Sequence, residues 1–97
     1  MPYYVYFMTN KHNRVLYVGV TNNIKRRVYE HKNDFSNKSF TSHYECRKLV
    51  YVQEFPTAIE AITSEKKIKN RSRKWKDELV DKANPGWYDL YEQEWGF

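Results

Sequence analysis

Glu65 is the first residue in this sequence that asks for a chemical explanation. Thr57 and Glu60 stand in the Thr-x-x-Glu order of a capping box and predict a helix running to about Arg71. Turned from Ile62 at about 100° per residue, that helix sets Ile59, Ala58, Ala61 and Ile68 at about +60°, −40°, −100° and −120°. Glu65 falls at about −60°, inside the apolar arc. An ionised carboxylate there loses hydration that a cation must replace. A basic side chain would do so as a structural ion pair. One Mg²⁺ or Mn²⁺ would also serve, because such an ion keeps several waters and takes further ligands from a phosphate.

Arg27 and His31 raise the same question with the sign reversed. Thr21 and Asn22 can cap a helix reaching about Asn33, and counted from Ile24 its residues Val28, His31 and Arg27 lie at about +40°, −20° and −60°. Arg26 points nearly the other way. A guanidinium on an apolar face is either paired, with Glu65 one structural partner, or held ready for an anion. His31 is either a satisfied interior histidine or a group that orients a proton. Residues 3–9 and 14–20 are β-branched and aromatic, and the polar Asn10-Lys11-His12-Asn13 between them makes a hairpin. A turn centred between Lys11 and His12 would set Tyr6 directly opposite Tyr17, two phenols on one face. Sheet packing is the plain alternative role for that pair.

The remaining elements follow from the same local signals. Asp34 to His43, rich in Ser, Asn and Lys, predicts a loop, and Arg47 to Phe55 a third strand ended by Pro56. Ser72 can cap a helix over residues 73–83 with Trp75 and Leu79 at i and i+4. Asn84-Pro85-Gly86 is a turn, after which the aromatic tail from Trp87 to Phe97 is expected to pack back over the sheet. The 97 residues make one domain with one modest core. The single cysteine, Cys46, cannot form an internal disulfide, and no Cys and His cluster has zinc spacing. No run is apolar over the roughly 18 residues that a bilayer crossing needs, so the chain is expected in the cytoplasm without a membrane partner.

Charge narrows the partners. All 17 basic residues lie before Asn84 together with nine acids, a formal +8, against +5 for the whole chain. Lys66, Lys67, Lys69, Arg71, Arg73 and Lys74 form a dense run with Lys76, and Lys25 and Arg26 add to it from the first helix. Such a surface favours phosphate backbones, although a basic run can also be only a solvated face.

Tyr4-Val5-Tyr6, then Tyr17-Val18-Gly19, then Asn22 to Arg27 and His31 together resemble the GIY-YIG nuclease domain, as found in an excinuclease, and most of all its small stand-alone bacterial members. The resemblance covers roughly residues 3–88. It implies an α+β fold, a small three-stranded antiparallel sheet flanked by helices. It also implies a metal-dependent endonuclease that hydrolyses phosphodiester bonds in nucleic acid, DNA being expected, in repair or recombination. Tyr6, Tyr17, Arg27 and His31 would be the catalytic group, one of the tyrosines the base, and Glu65 the ligand of a single Mg²⁺ or Mn²⁺. Gly19 and Asn84 would support them. Tyr4 departs from the glycine of the first motif, and His31 stands where several members have tyrosine. A non-catalytic nucleic-acid-binding module of the same fold is the rival reading. A tyrosine nucleophile that forms a covalent phosphotyrosine would need more clustered basic residues and more chain.

Overall fold

Strand residues that are apolar on both faces need a layer on each side. The computed structural model describes residues 1–93, and in it one antiparallel sheet is built from β1 (Tyr3–Thr9), β2 (Leu16–Thr21) and β3 (Lys48–Phe55) in the order β2-β1-β3. Helices α1 (Ile24–Asn33), α2 (Phe40–His43), α3 (Ala58–Lys69), α4 (Arg73–Ala83) and α5 (Leu90–Gln93) surround it. This is the expected α+β architecture. Val5 and Phe7 of the central strand face a layer closed by Ala61 and Ile68 of α3 and Val80 of α4. Tyr6 and Met8 face the opposite layer, with Ile24 and Val28 of α1, Cys46 and Leu49.

The hairpin register differs from expectation by two residues. Tyr6 pairs with Gly19 and Met8 with Tyr17. The Asn10 side chain widens the turn: its Oδ1 accepts the Arg14 and Val15 amides at 2.8 and 3.2 Å, and Asn13 adopts φ 58°. A shift of two preserves the side-chain face, so Tyr17 is the diagonal neighbour of Tyr6 and not its direct partner. β3 carries a bulge: Phe7 pairs with Tyr51 and Met8 with Leu49. The extra residue lets the consecutive Val50 and Tyr51 enter the same layer.

Three helix expectations are refined. Asn23, not Thr21 or Asn22, caps α1 by accepting the Arg26 amide at 3.1 Å. The expected loop 34–43 contains α2, whose cap Ser39 accepts the Ser42 amide. α3 ends at Lys69, and its buried arc centres on Ala61 and Ile68, leaving Ile59 78% and Ile62 41% exposed. Thr57 and Ser72 cap α3 and α4 as their sequence positions predict. Of the aromatic tail, Trp87 packs on the α3 layer and Leu90 and Tyr91 on the α1 layer, while residues 94–97 lie outside the described residues. No helix among the described residues is long and apolar enough to cross a membrane.

Candidate active site

β1 and β2 carry Tyr6 and Tyr17 to the face that α1 covers, and α1 brings His31 down onto both. The ring centroids are 6.1 Å apart for Tyr6 and Tyr17, 5.7 Å for Tyr6 and His31, and 5.4 Å for Tyr17 and His31. Tyr6 is fully buried, and its Oη lies 2.9 Å from His31 Nε2. His31 Nδ1 lies 2.9 Å from Thr41 Oγ1 on α2. Burial, and then the Tyr17 phenol beside it, push the Tyr6 hydroxyl above the ordinary phenol range, with Arg27 acting the other way. Burial, and then Arg27, bring His31 down to about 4. A protonated phenol donates to Nε2, so the neutral imidazole carries its hydrogen on Nδ1 and donates to Thr41. Thr41 Oγ1 lies 3.4 Å from Ser39 Oγ, which donates to Asp34 Oδ2 at 3.0 Å. A chain of hydrogen bonds therefore runs from the buried phenol to an exposed carboxylate.

Gly19 explains how the two phenols come so close. A Cβ there would lie 2.6 Å from Tyr6 Cζ and Oη and 2.9 Å from Tyr17 Cε2. Arg27 is half-buried beside these rings and pairs with Glu30 at 3.1 Å, not with Glu65. Glu65 has a side chain only 13% exposed and pairs with Lys69 at 3.0 Å. Both pairings are local helical ones, which overturns the Arg27 to Glu65 alternative. Lys69 lines a shallow hollow with Tyr17, Leu16 and Phe40 at the open edge of β2. The two layers meet at that edge, so the end of α3 that carries Glu65 and Lys69 approaches the tyrosine group from the other side of the sheet.

A family model of the GIY-YIG catalytic domain matches residues 2–78. The chain belongs to the GIY-YIG family. It is similar to a UPF0213 protein of Limosilactobacillus reuteri (strain DSM 20016), 30% identical over 80 residues that cover 80% of this chain and 81% of that protein. Among solved structures, the solution NMR structure of a UPF0213 protein from Bacillus halodurans matches with a TM-score of 0.57 and 26% identity, over 97% of this chain and 98% of that chain. GIY-YIG domains are nuclease domains that act on nucleic acid.

Within this GIY-YIG chain, the departure at Tyr4 is accommodated by extended strand backbone, and the ring packs at the margin of the α1 layer. Asn84 is buried: its Nδ2 donates to the carbonyls of Val50 and Tyr88 at 3.1 and 2.9 Å, and its Oδ1 accepts the Tyr88 amide. Those bonds tie the tail to β3, on the far side of β1 from Tyr17. Lys25, Arg26, Lys66, Lys67, Arg71 and Lys74 are exposed. Arg73 is committed elsewhere, donating to the carbonyls of Arg14 and Asn13 at 2.8 and 2.7 Å and to Asp77. Lys32, one of the first helix's cations, turns inward to Asp89 and the Arg47 carbonyl. No three His, Cys, Asp or Glu side chains converge to hold a metal among the described residues. Glu65 alone therefore fits only an ion whose other ligands are water and phosphate. Thr41 is the site residue that sequence reasoning missed. No periodicity marks it, because its contact with His31 crosses a segment expected to be a loop.

Proposed function

We propose that this chain is a divalent-metal-dependent endonuclease that hydrolyses phosphodiester bonds in DNA, with water as nucleophile. The observation that carries the reading is the packed group of Tyr6, Tyr17 and His31 beside Arg27 on one face of a GIY-YIG sheet. Tyr17 is the general base, because it is half-buried at the hollow on the sheet edge, whereas the Tyr6 hydroxyl is buried and engaged by His31. Arg27, half-buried beside the rings, stabilises charge that develops on the phosphate. Tyr6, His31 and Thr41 hold the group in place, and Gly19 gives it room. Glu65 holds one Mg²⁺ or Mn²⁺, which when bound supplies Lewis-acid stabilisation of the phosphate oxygens. Lys69 must release the carboxylate for that, and the exposed bases of α3 and α4 take up the flanking backbone. The setting in this reading is DNA repair or recombination in the cytoplasm. The rival reading, a binding module without turnover, is favoured by the pairing of Glu65 with Lys69.

Cleavage of labelled branched, nicked and single-stranded DNA with Mg²⁺ or Mn²⁺ decides between the two. Cutting that is lost in Glu65→Gln and falls on the order of 10² to 10⁴-fold in Tyr17→Phe is the expected result. Parental rates in either variant would remove the corresponding role, and no cutting by the parent protein would leave the binding module.

A further inference from the structure

α2 is turned inside out. Its polar residues Thr41 and Ser42 are 3% and 0% exposed, while Phe40 and the adjoining Tyr44 are 49% and 45% exposed. Burial of apolar area would favour the opposite arrangement. The polar side chains are held from beneath: Thr41 meets His31, and Ser42 Oγ donates to the Asp34 carbonyl at 2.8 Å and accepts the Asn37 amide at 3.0 Å. The Cys46 amide donates to the Thr41 carbonyl at 2.8 Å. The outward aromatics are therefore fixed by the fold. They also continue the tyrosine group, with centroids 6.0 Å apart for Tyr17 and Phe40 and 4.8 Å for Phe40 and Tyr44.

We propose that Phe40 and Tyr44, in ring contact with each other and through Phe40 with Tyr17, form a stacking track for unpaired bases, so that the strand delivered to Tyr17 is single-stranded nucleic acid. The destination of that strand rests on the nuclease reading; its binding does not. Cations flank the track at both ends. Lys69 and Lys76 line the hollow shared by Phe40 and Tyr17, and Lys11 and Lys48 line the hollow beside Tyr44. The two acids of that second hollow, Glu45 and Asp89, are paired with Arg47 and Lys32. Exposed rings between cations match a chain that alternates aromatic bases with phosphates. A duplex hides its base faces in the stack and presents only phosphates, to which these rings add nothing. The track is sequence-tolerant, because every base offers a π-face and no base-edge reader is required.

The test is fluorescence anisotropy in EDTA, so that cleavage does not enter. The probes are a labelled mixed-sequence DNA strand of about 16 nucleotides, its RNA equivalent, and the corresponding DNA duplex. The single strand is expected to bind more tightly than the duplex. Phe40→Leu and Tyr44→Leu, which keep apolar bulk but remove the ring, should each weaken single-strand binding on the order of 5- to 100-fold and leave duplex binding unchanged. The indole emission of Phe40→Trp should be quenched by the single strand and not by the duplex. DNA and RNA strands bound alike, or one bound above the other, both support the track and choose its source. Equal affinity for strand and duplex, no binding to any probe, or leucine variants that bind as the parent would overturn it. Adding Mg²⁺ separates the two readings: a strand that binds through Phe40 but is never cut removes the nuclease, and one that is cut with Phe40→Leu binding unchanged removes only the track.

Discussion

Gly19 sets how closely the two phenols can approach, and a single methyl group tests it. The added carbon of Gly19→Ala would meet Tyr6 at 2.6 Å, and Tyr6 is buried with its hydroxyl held by His31, so the ring has little freedom to retreat. Overpacking of this kind costs typically about 1 to 3 kcal/mol. Urea unfolding should show that loss, and cleavage by the folded fraction should fall as the phenols separate. His31 offers a second test at the same scale. Its value of about 4 lies below the ordinary 6.5, so the unfolded chain binds the proton that the folded chain refuses. The stability conferred by the neutral ring is present above about pH 6.5 and is lost as pH falls through about 4, with an upper size on the order of 3 kcal/mol. The urea midpoint of the parent protein should drop over that window. His31→Gln should show a shallower drop, and equal slopes would mean that the ring titrates normally.

Between elements, the longest-range tie of the basic run is Arg73. From the first turn of α4 its guanidinium reaches back to the carbonyls of Asn13 and Arg14, which secures the wide hairpin turn against the helix. Those carbonyls belong to the turn that sets the β1 and β2 register, and hence to the placing of Tyr17 on the face of Tyr6. Arg73→Gln should cost about 1 kcal/mol at this partly exposed site, a fall of about 4 to 8 °C in Tm for a domain of this size. Binding to duplex DNA should change less in Arg73→Gln than in Lys74→Gln, since the Arg73 side chain is already bonded to protein. A larger loss of binding in Arg73→Gln, with Tm unchanged, would return that residue to the nucleic-acid surface.

For the molecule as a whole, charge and size bound what it can recognise. The described chain spans at most 31 Å, about nine base-pair steps at roughly 3.4 Å each, and the sequence carries a formal charge of +5. In the proposed function, contacts with a duplex would therefore be dominated by a few phosphates. The logarithm of the binding constant should fall linearly with the logarithm of salt concentration, with a slope of about −0.9 for each phosphate neutralised on duplex and about −0.7 on a single strand. Anisotropy titrations over a salt series measure both slopes. Affinity that does not change with salt would contradict a phosphate partner.

Local patterning made several parts of this protein legible from sequence. The spacing of Ile24, Val28 and His31 identified the buried face of α1, Ser72 fixed the start of α4, and the Tyr4 to Tyr6 and Tyr17 to Gly19 motifs pointed to the GIY-YIG fold. These depend on neighbours within one turn or one strand, where period and capping chemistry act directly. Glu65 stood out for the same reason, but the basic partner named for it was Arg27, and the structure pairs it with Lys69 at i+4. Tertiary structure decided the rest. The hairpin register depended on the Asn10 side chain closing a wider turn, and Val50 could join Tyr51 in one layer only through a bulge against β1. The outward rings of Phe40 and Tyr44 depended on Thr41 and Ser42 finding polar partners beneath α2. Each of these is a competition between hydrogen bonds and apolar burial, settled by groups that become neighbours only once the sheet and α1 are in place.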